Sequence, residues 1–285
     1  MKKTLIIIFS SLMAVCLITV AVLLCIPNKN DDLRFLTDET VGVWWWTNQE
    51  EDKYLDFAKN NDVDEIYYCD YSLDDETSQF VKKAKAKGFK VFALFGECEW
   101  VEDHAGLDAL IQKYRIYQAM HSDAMFHGIH LDIEPHQLNS FEYDRKNLLT
   151  KFVEMADDIV LSNSDITFDF DIPAWFDDEI LFNGNLKSVY KHIIDIANRV
   201  FVMSYRDSAE AIVSFASDEL AYAKSKNKQI ALSVEMDSDE GENVSFKEEN
   251  KKILYNELSK LGGLLDQKFL ISIHNIESWF NLKEN

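Results

Sequence analysis

The feature that most limits the fold of this chain is a regular alternation of short apolar, aromatic-rich runs with longer segments of helical periodicity. Strand-like runs fall at 41–46, 65–72, 90–97, 128–134, 166–174, 199–207, 229–237 and 269–275. Helical patterns separate them at 49–60, 75–87, 107–123, 141–162, 186–197, 209–226 and 246–261. Strands that alternate with helices build parallel βαβ units. Eight such repeats match the order and the roughly 250-residue size of a closed (β/α)8 TIM barrel. An open doubly wound sheet is the rival, but it would more often carry a glycine-rich phosphate loop after an early strand, and none is present. The eighth helix is expected to be short or missing, because only Phe280 to Asn285 follow Trp279.

Ahead of the barrel, Thr4 to Ile26 form an almost unbroken apolar run preceded by Lys2 and Lys3. Its length suits a transmembrane helix crossing about 30 Å of hydrocarbon, and no small-x-small cleavage site follows. The chain therefore divides into a membrane anchor or uncleaved signal (1–27), a polar juxtamembrane linker (28–40) and the barrel (41–285). The lysine pair before the run predicts the amino end inside and the barrel extracytoplasmic, or secreted if the segment is cleaved. With 50 acidic against 29 basic residues, the formal charge of -21 repels phosphate backbones, so nucleic acid is not an expected partner. No cofactor motif is present. Cys69 and Cys98, near the ends of neighbouring strands, could pair or remain buried thiols.

Barrel active sites lie at the carboxyl ends of the strands. The two-residue period of a strand places a set of polar and aromatic residues there. Asp70, Glu97, Asp132, Glu134, Asp171, Tyr205, Asp207, Glu235 and His274 are the polar members, with Trp45, Trp175 and Trp279 as candidate platforms for sugar rings. Core packing is the simpler role for any one tryptophan.

The stretch Phe126-His127-Gly128-Ile129-His130-Leu131-Asp132-Ile133-Glu134-Pro135 concentrates this chemistry. It alternates like a strand, yet its polar members His130, Asp132 and Glu134 are costly to bury. Asp132 and Glu134 share a face, and like charges that close cannot both ionise freely. Glu134, at the mouth, becomes a candidate proton donor near neutral pH, as glycosidic bond cleavage requires.

Gly128 to Pro135 resembles the fourth-strand motif D-G-x-D-x-D-x-E of family 18 glycoside hydrolases, the chitinase-like barrels, and Met203-Ser204-Tyr205 resembles their sixth-strand M-x-Y-D. The resemblance implies that Glu134 is the general acid/base, that Asp132 orients the N-acetyl group of the substrate, and that Tyr205 contacts the same group. The chain departs from the pattern at His127 and His130, which stand where the family has its first two aspartates, and at Arg206, which replaces the sixth-strand aspartate beside Asp207.

A second carbohydrate mechanism fits the same residues. Another clan of barrel glycosidases has its acid at the end of strand four, followed by proline, and a glutamate nucleophile at the end of strand seven, the places of Glu134 and Glu235. Direct retention needs two carboxyl groups about 5–5.5 Å apart, whereas substrate-assisted cleavage needs no protein nucleophile. A metal hydrolase using the histidine-rich stretch is the outside rival, although strand parity sends His127 and His130 to opposite sides. The sequence thus predicts a membrane-anchored glycosidase acting on an extracellular or cell-envelope polysaccharide. His130, Asp70, Glu97, Asp171, Asp207 and His274 would contact substrate, with no cofactor or metal. The alternative is a carbohydrate-binding or envelope-assembly module on the same barrel.

Overall fold

The computed structural model describes residues 39–47, 49–237 and 241–284. The apolar run at 4–26 and most of the linker expected after it lie outside these residues, and among the described residues no helix is long and apolar enough to cross a membrane.

The chain runs β1 (Thr40–Trp45), α1 (Glu51–Asn60), β2 (Glu65–Cys69), α2 (Asp75–Ala86), β3 (Lys90–Phe95), α3 (Ala105–Met120), β4 (Ile129–Leu131), α4 (Phe141–Ser162) and β5 (Phe168–Pro173). A hairpin, β6 (Glu179–Phe182) and β7 (Asn185–Ser188), then leads into α5 (Val189–Ile196) and β8 (Arg199–Met203). The remaining elements are α6 (Ala209–Phe215), α7 (Ser217–Lys226), β9 (Gln229–Glu235), α8 (Lys251–Leu264), β10 (Leu270–His274) and α9 (Ile276–Asn281). Eight strands pair in parallel and close in the order β1-β10-β9-β8-β5-β4-β3-β2, so the alternation in the sequence does produce a closed (β/α)8 barrel.

The last helix is short, and aromatic packing seals its flank. Trp279 is fully buried and meets Phe57 of α1 edge-on at 5.1 Å between ring centroids. Lys251 Nζ donates to the Phe280 carbonyl at 2.9 Å, which ties the end of the chain to α8.

The hairpin is a departure from the sequence reading, which begins a helix at 186. Its turn is Asn183-Gly184, with φ of 48° and 76°, the positive values that a tight hairpin turn demands. Leu186 therefore pairs with Leu181 across the hairpin, and the helix starts at Val189.

Inside the barrel the lower layer is ionic. Arg199 donates through Nη1 to Glu65 (2.7 Å) and through Nε and Nη2 to Asp169 (2.9 and 2.5 Å), with its guanidinium 4.6 Å from the Phe92 ring centroid. Three charges are thus withdrawn from water and held by mutual hydrogen bonds. Trp44, Tyr67, Phe92, Leu94, Phe201, Ala231 and Leu270 form a buried apolar cluster packed against this layer through Phe92 and Phe201.

Candidate active site

Strand β4 carries the centre of the site. It ends at Leu131, and the chain then passes through Asp132 and Glu134 into a 3-10 turn at Pro135–Gln137. The mouth end of β3 lies so close that a Cβ at Gly96 would overlap the Asp132 carbonyl oxygen, while the Asp132 amide donates to the Phe95 carbonyl at 2.9 Å. Only glycine permits this approach. It fixes the backbone from which Asp132 projects.

Glu134 opens into a cleft of about 250 Å³ lined by His136, Pro173, Trp175, Met203, Tyr205, Arg206, Phe215 and Val244. Its Oε1 accepts from Gln137 Nε2 at 2.6 Å, and His136 Nε2 lies 3.0 Å from Oε2. Trp175, 37% exposed, presents its ring at the cleft and meets His136 edge-on at 5.1 Å. An exposed ring beside a carboxyl group suits a sugar, whose apolar face stacks while its hydroxyls hydrogen-bond.

Asp132 sits deeper, and its Oδ1 is sealed from solvent with no hydrogen-bond partner among the described residues. Burial, followed by the charges of Asp171 and Glu134, holds its carboxyl well above the usual carboxylate range. The Tyr205 phenol is likewise pushed well up, first by burial and then by the surrounding carboxyls of Asp132, Glu235, Asp171 and Glu134. Tyr205 therefore stays a neutral O–H donor among acids.

His130 and Asp171, expected to touch substrate, do not. Both are enclosed beneath the mouth, with Nε2 of His130 2.5 Å from Asp171 Oδ2 and 3.2 Å from the Trp44 indole N–H. Burial lowers the His130 pKa to about 3 and raises that of Asp171 far above the carboxylate range. The proton accordingly resides on Asp171, which donates to the imidazole. The pair supports the floor under Asp132 rather than reaching the cleft.

Glu235 is held from three directions. Its Oε1 accepts from the amides of Met236 and Asp237, each at 2.7 Å, and its Oε2 takes the Nδ1–H of His274. His274 Nε2 in turn accepts from Trp46 Nε1 at 3.2 Å, and the Tyr205 ring stacks on the imidazole with centroids 6.3 Å apart. These contacts join the strand ends of β1, β8, β9 and β10 in one polar network.

Other expected residues occupy different places. Trp45 points outward to Tyr54 and Phe80, because its neighbour Trp44 takes the inward position on β1. Trp279 lies on α9 between α1 and α8, outside the ring of strands, so neither tryptophan can receive a ligand at the mouth. Asp70 braces the turn before α2, accepting from Thr77 Oγ1 at 2.5 Å and from the Ser72 amide at 2.8 Å, while Asp74 caps the helix. Glu97 is exposed on the rim and Asp207 is half-buried after β8. Cys69 and Cys98 are free thiols, that of Cys69 pushed up to about 12 by burial and by the nearby acids. His136 and Arg206 also line the cleft, and neither is among the substrate contacts expected from the sequence.

No family model matches the chain, and no curated protein matches it. Among solved structures it is similar to a family 18 chitinase from Cycas revoluta bound to (GlcNAc)4, at 11% identity, a TM-score of 0.46 and coverage of 69% of this chain and 68% of that one. It is also similar to the glycoside hydrolase domain of PelA from Pseudomonas aeruginosa, at 9% identity, a TM-score of 0.47 and coverage of 85% and 97%. A third similar structure, described as a deoxyribose-phosphate aldolase from Toxoplasma gondii, has 10% identity, a TM-score of 0.49 and coverage of 85% and 93%. Chitinase-like glycoside hydrolases and an aldolase thus stand at the same level, and the chemistry must be read from the residues at the mouth.

Proposed function

We propose that this chain is a glycoside hydrolase that cleaves an extracellular or cell-envelope polysaccharide, with Glu134 as general acid/base and Asp132 and Tyr205 positioning the substrate. The observation that carries this reading is the juxtaposition at the end of β4. A carboxyl group opens on a cleft with an exposed indole, and a second carboxyl two residues earlier keeps a sealed, unpartnered oxygen. Glu134 protonates the leaving glycosidic oxygen and then draws a proton from the attacking water. Asp132 and the neutral Tyr205 phenol hold the substrate's N-acetyl group, the phenol donating to its carbonyl oxygen, so that this oxygen faces the anomeric carbon as positive charge develops there.

Of the two carbohydrate mechanisms, substrate-assisted cleavage is the better supported. Both oxygens of Glu235 are committed to two amides and His274, which leaves a poor nucleophile. An N-acetylated sugar supplies its own carbonyl oxygen instead. The apolar run at 4–26 supports an anchored, extracytoplasmic barrel. The test is to incubate the pure chain with a panel of N-acetylated and unsubstituted polysaccharides and to detect new reducing ends by mass spectrometry. Release supports the enzyme; tight binding without release by any member favours the carbohydrate-binding module.

A further inference from the structure

The described residues include four arginines, and three are paired with carboxylates. Arg115 bonds Asp165 through Nη1 and Nη2 at 2.5 and 2.7 Å, Arg145 bonds Asp178 through Nε and Nη2 at 2.9 and 2.5 Å, and Arg199 joins Glu65 and Asp169 in the barrel floor. Arg206 is the exception. Among the described residues it has no carboxylate partner, although the chain holds 50 acidic side chains. Its Nη1 donates to the Tyr205 carbonyl at 2.6 Å, and its guanidinium lies 3.7 Å from the Phe215 ring centroid. A hydrogen bond at one corner and an aromatic ring below hold the planar fork in place, and the fork lines the cleft with Glu134 and Trp175.

The rest of the mouth sharpens the contrast. In the closed ring β2 stands opposite β8, and the ends of β2 and β3 carry Asp70, Glu97 and Glu99. These three acids therefore lie across the mouth from Arg206, whose remaining N–H donors have no acceptor among the described residues. A guanidinium fork binds best to paired anionic oxygens, which a carboxylate, sulfate or phosphate ester presents.

From this placement we infer that Arg206 is a specificity-determining residue that binds an anionic substituent on the sugar lodged beside Glu134, so that the substrate is an acidic polysaccharide. The inference rests on the glycoside hydrolase reading and narrows its substrate class.

Binding and turnover separate the two claims. The full chain carrying Glu134→Gln is titrated by calorimetry at low salt with four probes: chitotetraose (neutral), a hyaluronan tetrasaccharide (carboxylate), 6-O-sulfated chitotetraose (sulfate) and a glucosamine tetramer (cationic). At least one anionic probe is expected to bind ten-fold or more tightly than chitotetraose, and which one does so distinguishes carboxylate from sulfate recognition. Adding Arg206→Gln should cut that preference at least ten-fold, and Arg206→Lys should restore part of it. Tightest binding of the cationic tetramer, failure of both anionic probes to bind, or a preference unmoved by Arg206→Gln overturns the proposal. Absence of hydrolysis by the parent chain on every polysaccharide would instead overturn the enzymatic reading, because the binding preference is measured without turnover.

Discussion

His130 and Asp171 meet inside the barrel, Nε2 to Oδ2 at 2.5 Å, with neither side chain reachable by solvent. Burial suppresses the charge on both, and the two titrate in opposite senses. His130, neutral in the fold down to about pH 3, makes the protein lose stability as pH falls from about 6.5 toward that value, since only the unfolded chain takes up the proton. Asp171 is raised, so its contribution is complete below the unfolded pKa of about 3.9 and declines as pH rises from there toward its folded value. Asp171→Asn removes that decline. Urea denaturation at several pH values should show a flatter profile above about pH 4 for the variant; identical profiles would contradict the protonated pair.

Arg199 tests the floor of the barrel. Arg199→Met leaves Asp169 buried without its cation and Glu65 with Lys90 alone at 3.3 Å, and should cost about 3–5 kcal/mol of stability by chemical denaturation. Replacing all three members by apolar residues should recover much of the loss, because the desolvation cost disappears with the charges.

Glu219 on α7 is 1% exposed, and its Oε1 has no hydrogen-bond partner among the described residues. Burial raises its pKa to about 7, so stability should fall as pH rises from the usual carboxylate value of about 4.5 to about 7 and then level off. Glu219→Gln should abolish that fall and raise stability at pH 8 by about 1–3 kcal/mol, read from the thermal midpoint as a function of pH.

Tyr205 is the neutral donor of the site. Tyr205→Phe keeps the ring that stacks on His274 and removes the hydroxyl. The expected result is a loss of about 10²-fold in kcat with a smaller change in KM, the effect of deleting one hydrogen-bond donor to the transition state. An unchanged kcat would take Tyr205 out of the chemistry.

The barrel was legible in the sequence because its two periods differ so clearly: eight strand-like runs, each bounded by a helical stripe. The same period-2 rule brings Asp132, Glu134 and Tyr205 to one rim, since each lies at or just beyond a strand end. It misleads where depth matters. His130 and Asp171 share the inward face with the mouth residues but are buried in the barrel, where Trp44 and Tyr67 pack on the His130 ring. Parity also separates Trp44 from Trp45, and an apolar triplet with no break gives no sign of which member points in. Trp279 belongs to a short helix, so strand parity does not govern it. His136 and Arg206 follow their strands in turns, where the alternation has ended and only the folded loop decides what faces the cleft. The hairpin did leave a signal in Asn183-Gly184, overshadowed by the apolar spacing of the helix just after it.

Glu134→Gln is the most direct test of the central claim, because it preserves the shape and hydrogen-bonding capacity at the cleft while removing the acid. With an N-acetylated polysaccharide that the parent chain cleaves, the variant should retain binding and the parent thermal midpoint but lose at least about 10³-fold in release of reducing ends. Turnover by Glu134→Gln at the rate of the parent would contradict the assignment of the acid and, with it, the mechanism built on the end of β4.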